Sequence, residues 1–185
     1  MKWISRIILN LWGWKITGTI PAEIKKCVVI VAPHTSMWDF VIGRLVYFVL
    51  GLNVKFLIKK ELFFFPLGPV IKWLGAIPVN RGKSTRMVDY VASLFNQYES
   101  LYITITPEGT RSLVTRWKRG FYYIALQAKV PIALGVLDYR QKTGGVVTIF
   151  EPTGDYEADM KMIEKVYRGR GARHPEKYNL SSKNQ

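Results

Sequence analysis

Cysteine is nearly missing from this chain. Of 185 residues only Cys27 carries a thiol, so an intramolecular disulfide is excluded, and a lone thiol inside an apolar run fits packing in a reducing compartment better than chemistry. The two histidines, His34 and His174, form no Cys/His cluster at metal-ligand spacing, so neither a metal nor another bound cofactor is expected. Long hydrophobic runs are also lacking: no stretch approaches the roughly twenty apolar residues of a spanning helix. Met1 to Trp14 carries no small-residue cleavage site, and no signal peptide is expected there.

Acidic residues are scarce. Asp and Glu number 13 against 27 Lys and Arg, a net charge of +14, and an excess of that size implies an anionic partner: nucleic acid, a phospholipid surface, a phosphorylated substrate or an acidic carrier protein. Aromatic residues make up 14% of the chain. The tryptophans stand beside apolar residues, as rings at headgroup level do, and are not interleaved with basic residues as stacking platforms are. No nucleic-acid-binding motif accompanies the charge, so a membrane surface is expected and nucleic acid is not.

The apolar pattern alternates strands with helices, which predicts a single α/β domain with a mixed sheet flanked by helices. Trp3, Ile4, Ile7, Ile8, Leu11 and Trp12 recur at helical spacing and make residues 1–14 an amphipathic helix, either interfacial or packed on the protein's own core. The domain proper is read as 15–168. Strands are predicted near 15–20, 27–32, 54–58, 76–79, 101–106, 130–139 and 146–150, with helices near 37–51, 84–98, 121–129 and 156–168. Residues 62–74 are apolar almost all round, with Pro66 and Pro69, and read as either a core helix or a surface-lying one. Residues 169–185, His174 included, are polar and expected to be a flexible tail.

Within this pattern Pro33-His34-Thr35-Ser36-Met37-Trp38-Asp39 joins a β-branched run to a helix. Ser36 suits the N-cap and Asp39 the first turn. With His34 in the turn before the helix, Asp39 can fold back to its imidazole, fix one ring nitrogen and leave the other free to take a proton from a hydroxyl. The alternative is a capping acid beside a loop histidine. Two further loops follow strands, Asn80 to Lys83 and Pro107 to Ser112, bringing Arg81 and Arg111. Loops at the carboxyl ends of strands converge on a crevice in α/β sheets, whereas each arginine taken alone is also compatible with a solvated charge. Ser36 and Ser112 lack the Gly-x-Ser-x-Gly elbow of serine hydrolases.

Four blocks in order resemble the signature of the glycerolipid acyltransferases: His34-Thr35-Ser36-Met37-Trp38-Asp39, Gly75-Ala76-Ile77-Pro78-Val79-Asn80-Arg81, Pro107-Glu108-Gly109-Thr110-Arg111-Ser112 and Val130-Pro131-Ile132. Pro78 replaces a usual aromatic residue, and the fourth block lacks a second proline. The resemblance implies a glycerol-3-phosphate acyltransferase-like fold. It implies O-acyl transfer from acyl-CoA or acyl carrier protein to a lysophospholipid hydroxyl, 1-acylglycerol-3-phosphate first; the cytoplasmic face of a membrane is expected from the missing signal peptide and the single cysteine. His34 would be the base and Asp39 its partner, with no acyl-enzyme. Arg81 would bind the acceptor phosphate, and Glu108, Gly109, Thr110 and Arg111 would shape the acceptor site. Lys118 and Gly120 match a Lys-x-Gly element that follows the third block. The rivals are the same chemistry on another acceptor, such as an amino-acid-derived lipid, and a silent membrane adaptor.

Overall fold

The computed structural model describes residues 1–80 and 84–180. These residues form a seven-stranded sheet ordered β1-β7-β6-β2-β5-β3-β4, with strands β1 (Lys15–Thr17), β2 (Lys26–Ala32), β3 (Val54–Lys59), β4 (Ala76–Val79), β5 (Leu101–Ile105), β6 (Ile132–Asp138) and β7 (Thr143–Phe150). The helices are α1 (Lys2–Leu11), α2 (Met37–Leu50), α3 (Leu67–Trp73), α4 (Ser84–Gln97), α5 (Gly120–Ala128) and α6 (Tyr156–Tyr167). β6, β2, β5, β3 and β4 are mutually parallel; β7 is antiparallel to β6, and β1 is parallel to β7. The expected mixed α/β sheet is therefore present.

Chain direction decides where a site can form. From β2 the chain moves outward through α2 and α3 to β4; from there it returns through α4 and α5 to β6. Right-handed crossovers running in opposite directions place their helices on opposite faces. Accordingly Val46, Tyr47 and Val49 of α2 pack on one face, whereas Val91 and Phe95 of α4, Phe121 and Ile124 of α5, and Ile163 of α6 pack on the other. β2 and β5 are neighbours whose following loops leave to opposite sides. A crevice opens between such loops, at the carboxyl edge.

β2 and β6 are buried along nearly their whole length, which explains their continuous apolar runs rather than an alternating pattern. α4 turns Val91, Leu94 and Phe95 inward, with Met87 and Val88 half-buried against the same core, as its helical spacing predicts.

Two open readings are decided by packing. α1 buries Ser5 and Leu9, while Trp3, Ile4, Ile7, Leu11 and Trp12 remain exposed, so its broad apolar stripe faces outward. In the segment 62–74 only the stretch Leu67–Trp73 is an α-helix, burying Gly68 and Ile71 and leaving Phe64, Phe65, Val70 and Trp73 exposed. Pro69 falls in its first turn, where a missing N–H is tolerated.

Residues 169–180 differ from the loose tail expected of them. Gly171 donates its N–H to Asp138 and accepts from the Tyr139 N–H, Trp117 Nε1 donates to the Asn179 carbonyl, and Ala172 is buried. Its hydrogen bonds run largely through backbone groups, which hydropathy does not announce. Residues 181–185 lie outside the described residues.

Candidate active site

The site grows from the turn between β2 and α2. Ser36 is the N-cap of α2 in extended conformation, its hydroxyl accepts from the Trp38 N–H at 3.2 Å, and Asp39 answers as the acid of a capping box. Asp39 Oδ2 takes the Thr35 and Ser36 amides at 2.6 and 2.8 Å. The same oxygen stands 3.3 Å from His34 Nδ1. One carboxylate thus caps the helix and grips the imidazole at once. Nδ1 then carries the proton of the neutral ring and Nε2 is left free.

The other oxygen of Asp39, Oδ1, accepts from the Tyr139 hydroxyl at 2.7 Å. Burial alone would raise the Asp39 pKa. Hydrogen bonds from His34, Tyr139 and the Ser36 and Thr35 amides outweigh that and hold it below the ordinary carboxylate value.

Glu108 arrives from the loop after β5. It is 3% exposed, its Oε1 accepts the His34 N–H at 3.2 Å, and its Oε2 has no hydrogen-bond partner among the described residues. Burial first, and the Asp39 charge as well, push its pKa to about 8 despite the His34 amide. Two carboxyls on adjacent loops are thereby driven apart: near neutrality Asp39 is ionised and Glu108 protonated. Glu108 is not among the residues lining the adjoining cavity; its contact in the structure is with the backbone of His34.

A cavity of about 850 Å³ opens at this edge, a volume suited to a sizeable ligand. His34, Asp39, Gly109, Thr110 and Arg111 all line it, together with Lys118 and Gly120. Its walls are mainly apolar, with Phe40, Phe56, Ile71, Val79 and Phe121 among them. The cavity passes between β3 and β5, whose pairing ends at Phe56 and Thr104. Arg44 also lines it; its Nη1 donates to the Val54 carbonyl at 2.7 Å and its guanidinium lies 4.8 Å from the Phe48 ring centre. Arg81 falls outside the described residues.

Gly109 supplies the turn that sets Arg111 and Lys118 at the mouth. Its φ is +67°, and a Cβ there would stand 2.8 Å from Cδ, Cε and Nζ of Lys118. The lysine end can swing aside, so the backbone strain dominates. Gly109→Ala is expected to lose about 1 kcal/mol of stability and to weaken binding of an anionic substrate by displacing Lys118. Urea unfolding of both proteins measures the first effect, and equal midpoints would contradict it.

Sequence reasoning missed Arg44 and Tyr139 as site residues. Arg44 carried a signal, a cation in a helix whose one other charged residue is Asp39. Tyr139 carried a weaker one, a polar tip at the carboxyl end of an apolar strand.

Similarity to known proteins is found in both sequence and fold. The family model described as Acyltransferase matches residues 14–133. The human 1-acyl-sn-glycerol-3-phosphate acyltransferase beta is 33% identical over 166 aligned residues, taking in 80% of this chain and 58% of that protein. The chain therefore spans little more than half the length of that relative. In fold, the chain is similar to the crystal structure of the 1-acyl-sn-glycerophosphate (LPA) acyltransferase PlsC from Thermotoga maritima, with a TM-score of 0.61 and 18% identity over 93% of this chain and 80% of that one. With about two thirds of its length matched by the family model, this chain belongs to the acyltransferase family.

Proposed function

We propose that this protein moves a fatty acyl group from a thioester, acyl-CoA or acyl carrier protein, to the free hydroxyl of a lysophospholipid at a membrane surface, with 1-acylglycerol-3-phosphate as the first acceptor to test. The observation that carries this reading is the His34–Asp39 pair at 3.3 Å on the edge of a large apolar cavity whose mouth bears Arg111 and Lys118. In the reaction, His34 Nε2 takes the proton of the acceptor hydroxyl while its oxygen bonds to the thioester carbonyl carbon. The tetrahedral oxyanion collapses, the carbon–sulfur bond breaks, and the imidazolium returns the proton to the departing thiolate. Asp39 stays ionised and supports the transient imidazolium. Arg111, with Arg81, would hold the acceptor phosphate, where a guanidinium can make two parallel hydrogen bonds.

The surface fits a lipid interface. Trp3, Ile4, Ile7, Leu11 and Trp12 on α1 are exposed, and Trp12 meets the exposed Trp38 edge-on at 5.7 Å, next to the His34 turn. Among the described residues no helix is long and apolar enough to cross a membrane, so contact would be interfacial. Basic residues facing an anionic leaflet add about 1 kcal/mol each. Flotation with vesicles of phosphatidylglycerol and phosphatidylethanolamine tests this. Pairing Trp3→Glu with Leu11→Glu should cut the bound fraction at least about tenfold, and unchanged binding would exclude α1 from the contact.

Activity is tested in mixed micelles with lysophosphatidic acid and either oleoyl-CoA or oleoyl-acyl carrier protein, following free thiol and lipid product. Phosphatidic acid formed with thiol release supports the reading and identifies the donor. Thiol release only with another hydroxyl lipid keeps the chemistry and moves the acceptor. Lipid binding with no transfer to any acceptor would refute the enzyme.

A further inference from the structure

Asp39 is held from both sides, but the family match accounts for one side alone. Oδ2 is fixed by its own turn, through the Thr35 and Ser36 amides. Oδ1 is fixed from 100 residues away, by the Tyr139 hydroxyl at 2.7 Å, and Tyr139 lies beyond the matched residues 14–133. Asp39 is 4% exposed, so a carboxylate oxygen without that donor would be left buried and unpaired, and the group would be freer to turn about its Cβ–Cγ bond.

Tyr139 is itself packed into place. Trp14 meets its ring edge-on at 5.0 Å. The Tyr139 N–H donates to the Gly171 carbonyl at 2.8 Å, and Asp138, the preceding residue, accepts the Gly171, Arg140 and Gln141 amides. Arg173 then lies over both Trp38 and Tyr139, with its guanidinium carbon 5.3 and 5.9 Å from the ring centres. The His174 N–H donates to Thr35 Oγ1 at 3.2 Å. The segment 170–174 is thus a strap that ties the end of β6 to the catalytic turn.

We propose that Tyr139 is a positioning residue for the His34–Asp39 pair, fixing the plane of the Asp39 carboxylate so that Oδ2 meets His34 Nδ1, with the strap 170–174 holding Tyr139 in register. The inference rests on the reading of His34 as general base. Tyr139 is absent from the cavity lining, so its removal should act on the chemical step and not on substrate binding.

Tyr139→Phe is expected to lower kcat about ten- to a hundredfold, the range for a hydrogen bond to a charged group, with KM for lysophosphatidic acid within about twofold. The double variant Tyr139→Phe/Asp39→Asn should be no slower than Asp39→Asn alone, because the phenol acts through that carboxylate. Arg173→Gln keeps the hydroxyl and should show a smaller kcat loss, below about fivefold. A second readout needs no substrate: the chain has two histidines, and the ¹⁵N imidazole spectrum of the full-length protein should show His34 as a single Nδ1–H tautomer, mixed in Tyr139→Phe. Additive losses in the double variant, an unchanged His34 spectrum, or a Tyr139→Phe protein that unfolds while Asp39→Asn stays folded would assign the phenol to the fold and overturn the proposal. A wild-type protein inactive on every thioester but with the tautomer change intact would instead refute the enzymatic reading and leave the positioning role standing.

Discussion

His34→Ala is expected to lower kcat for acyl transfer about a thousandfold while KM for the acceptor stays within about threefold. The reason is the division of labour at the cavity. Arg111 and Lys118 stand at its mouth and apolar side chains form its walls, so binding survives the loss of an imidazole that is only the proton acceptor; general-base catalysis is worth about 10² to 10⁴ in rate. Asp39→Asn should lose a similar factor and some stability besides. An amide nitrogen cannot accept from the Thr35 and Ser36 amides or from the Tyr139 hydroxyl, and at least one of those buried donors would go unpaired. Steady-state thiol release in mixed micelles decides the matter; a His34→Ala enzyme retaining more than a third of wild-type kcat would remove the base from the mechanism.

Stability should fall as pH rises from about 5 to 8, through Glu108. In the folded protein its pKa is pushed up to about 8 from 4.5, chiefly by burial. Between those values the native state holds a proton that the unfolded chain has released, so stability from this group is fully present below the unfolded pKa. It is lost as pH climbs toward the folded one. Over that window, at about 1.4 kcal/mol per pH unit, the loss is about 5 kcal/mol. Glu108→Gln keeps an oxygen to accept the His34 N–H but cannot ionise. The variant should therefore have a much flatter dependence of Tm on pH and be the more stable protein at pH 8. Thermal melts at pH 5, 6.5 and 8 make the comparison, and parallel curves for the two proteins would show that Glu108 is not the group responsible. Glu108→Ala, which leaves the His34 amide without its acceptor, should be destabilised at every pH.

Much of the site was legible in the sequence because much of it is local. Ser36 and Asp39 lie within one helical turn of each other, and the capping box that joins them also delivers a carboxylate to His34. The turn at Gly109 is local as well, since its positive φ concerns only its neighbours. Strand and helix order followed from apolar periodicity, and Val91, Leu94 and Phe95 of α4 faced inward as their spacing required. Beyond that range periodicity says less. It showed that α1 has an apolar side, but the residues α1 buries are Ser5 and Leu9, because the face it turns inward is set by how it lies against α2.

The local chain by itself determined the chemistry on offer: an imidazole with a carboxylate folded back on it, a glycine turn with cations, and an alternation of strands and helices that puts both at one edge of a sheet. Tertiary structure alone decided how those groups are tuned. Glu108 became a buried, proton-holding support of the His34 backbone because β5 lies beside β2, and Tyr139 reached Asp39 because β6 flanks β2 on its other side. Residues 170–174 tied the end of β6 to the turn after β2. The physical reason is that hydrogen bonds within a turn depend on a few dihedral angles. Contacts across 74, 100 or 139 residues depend instead on which strands become neighbours, a choice made by the whole packed core and its crossovers.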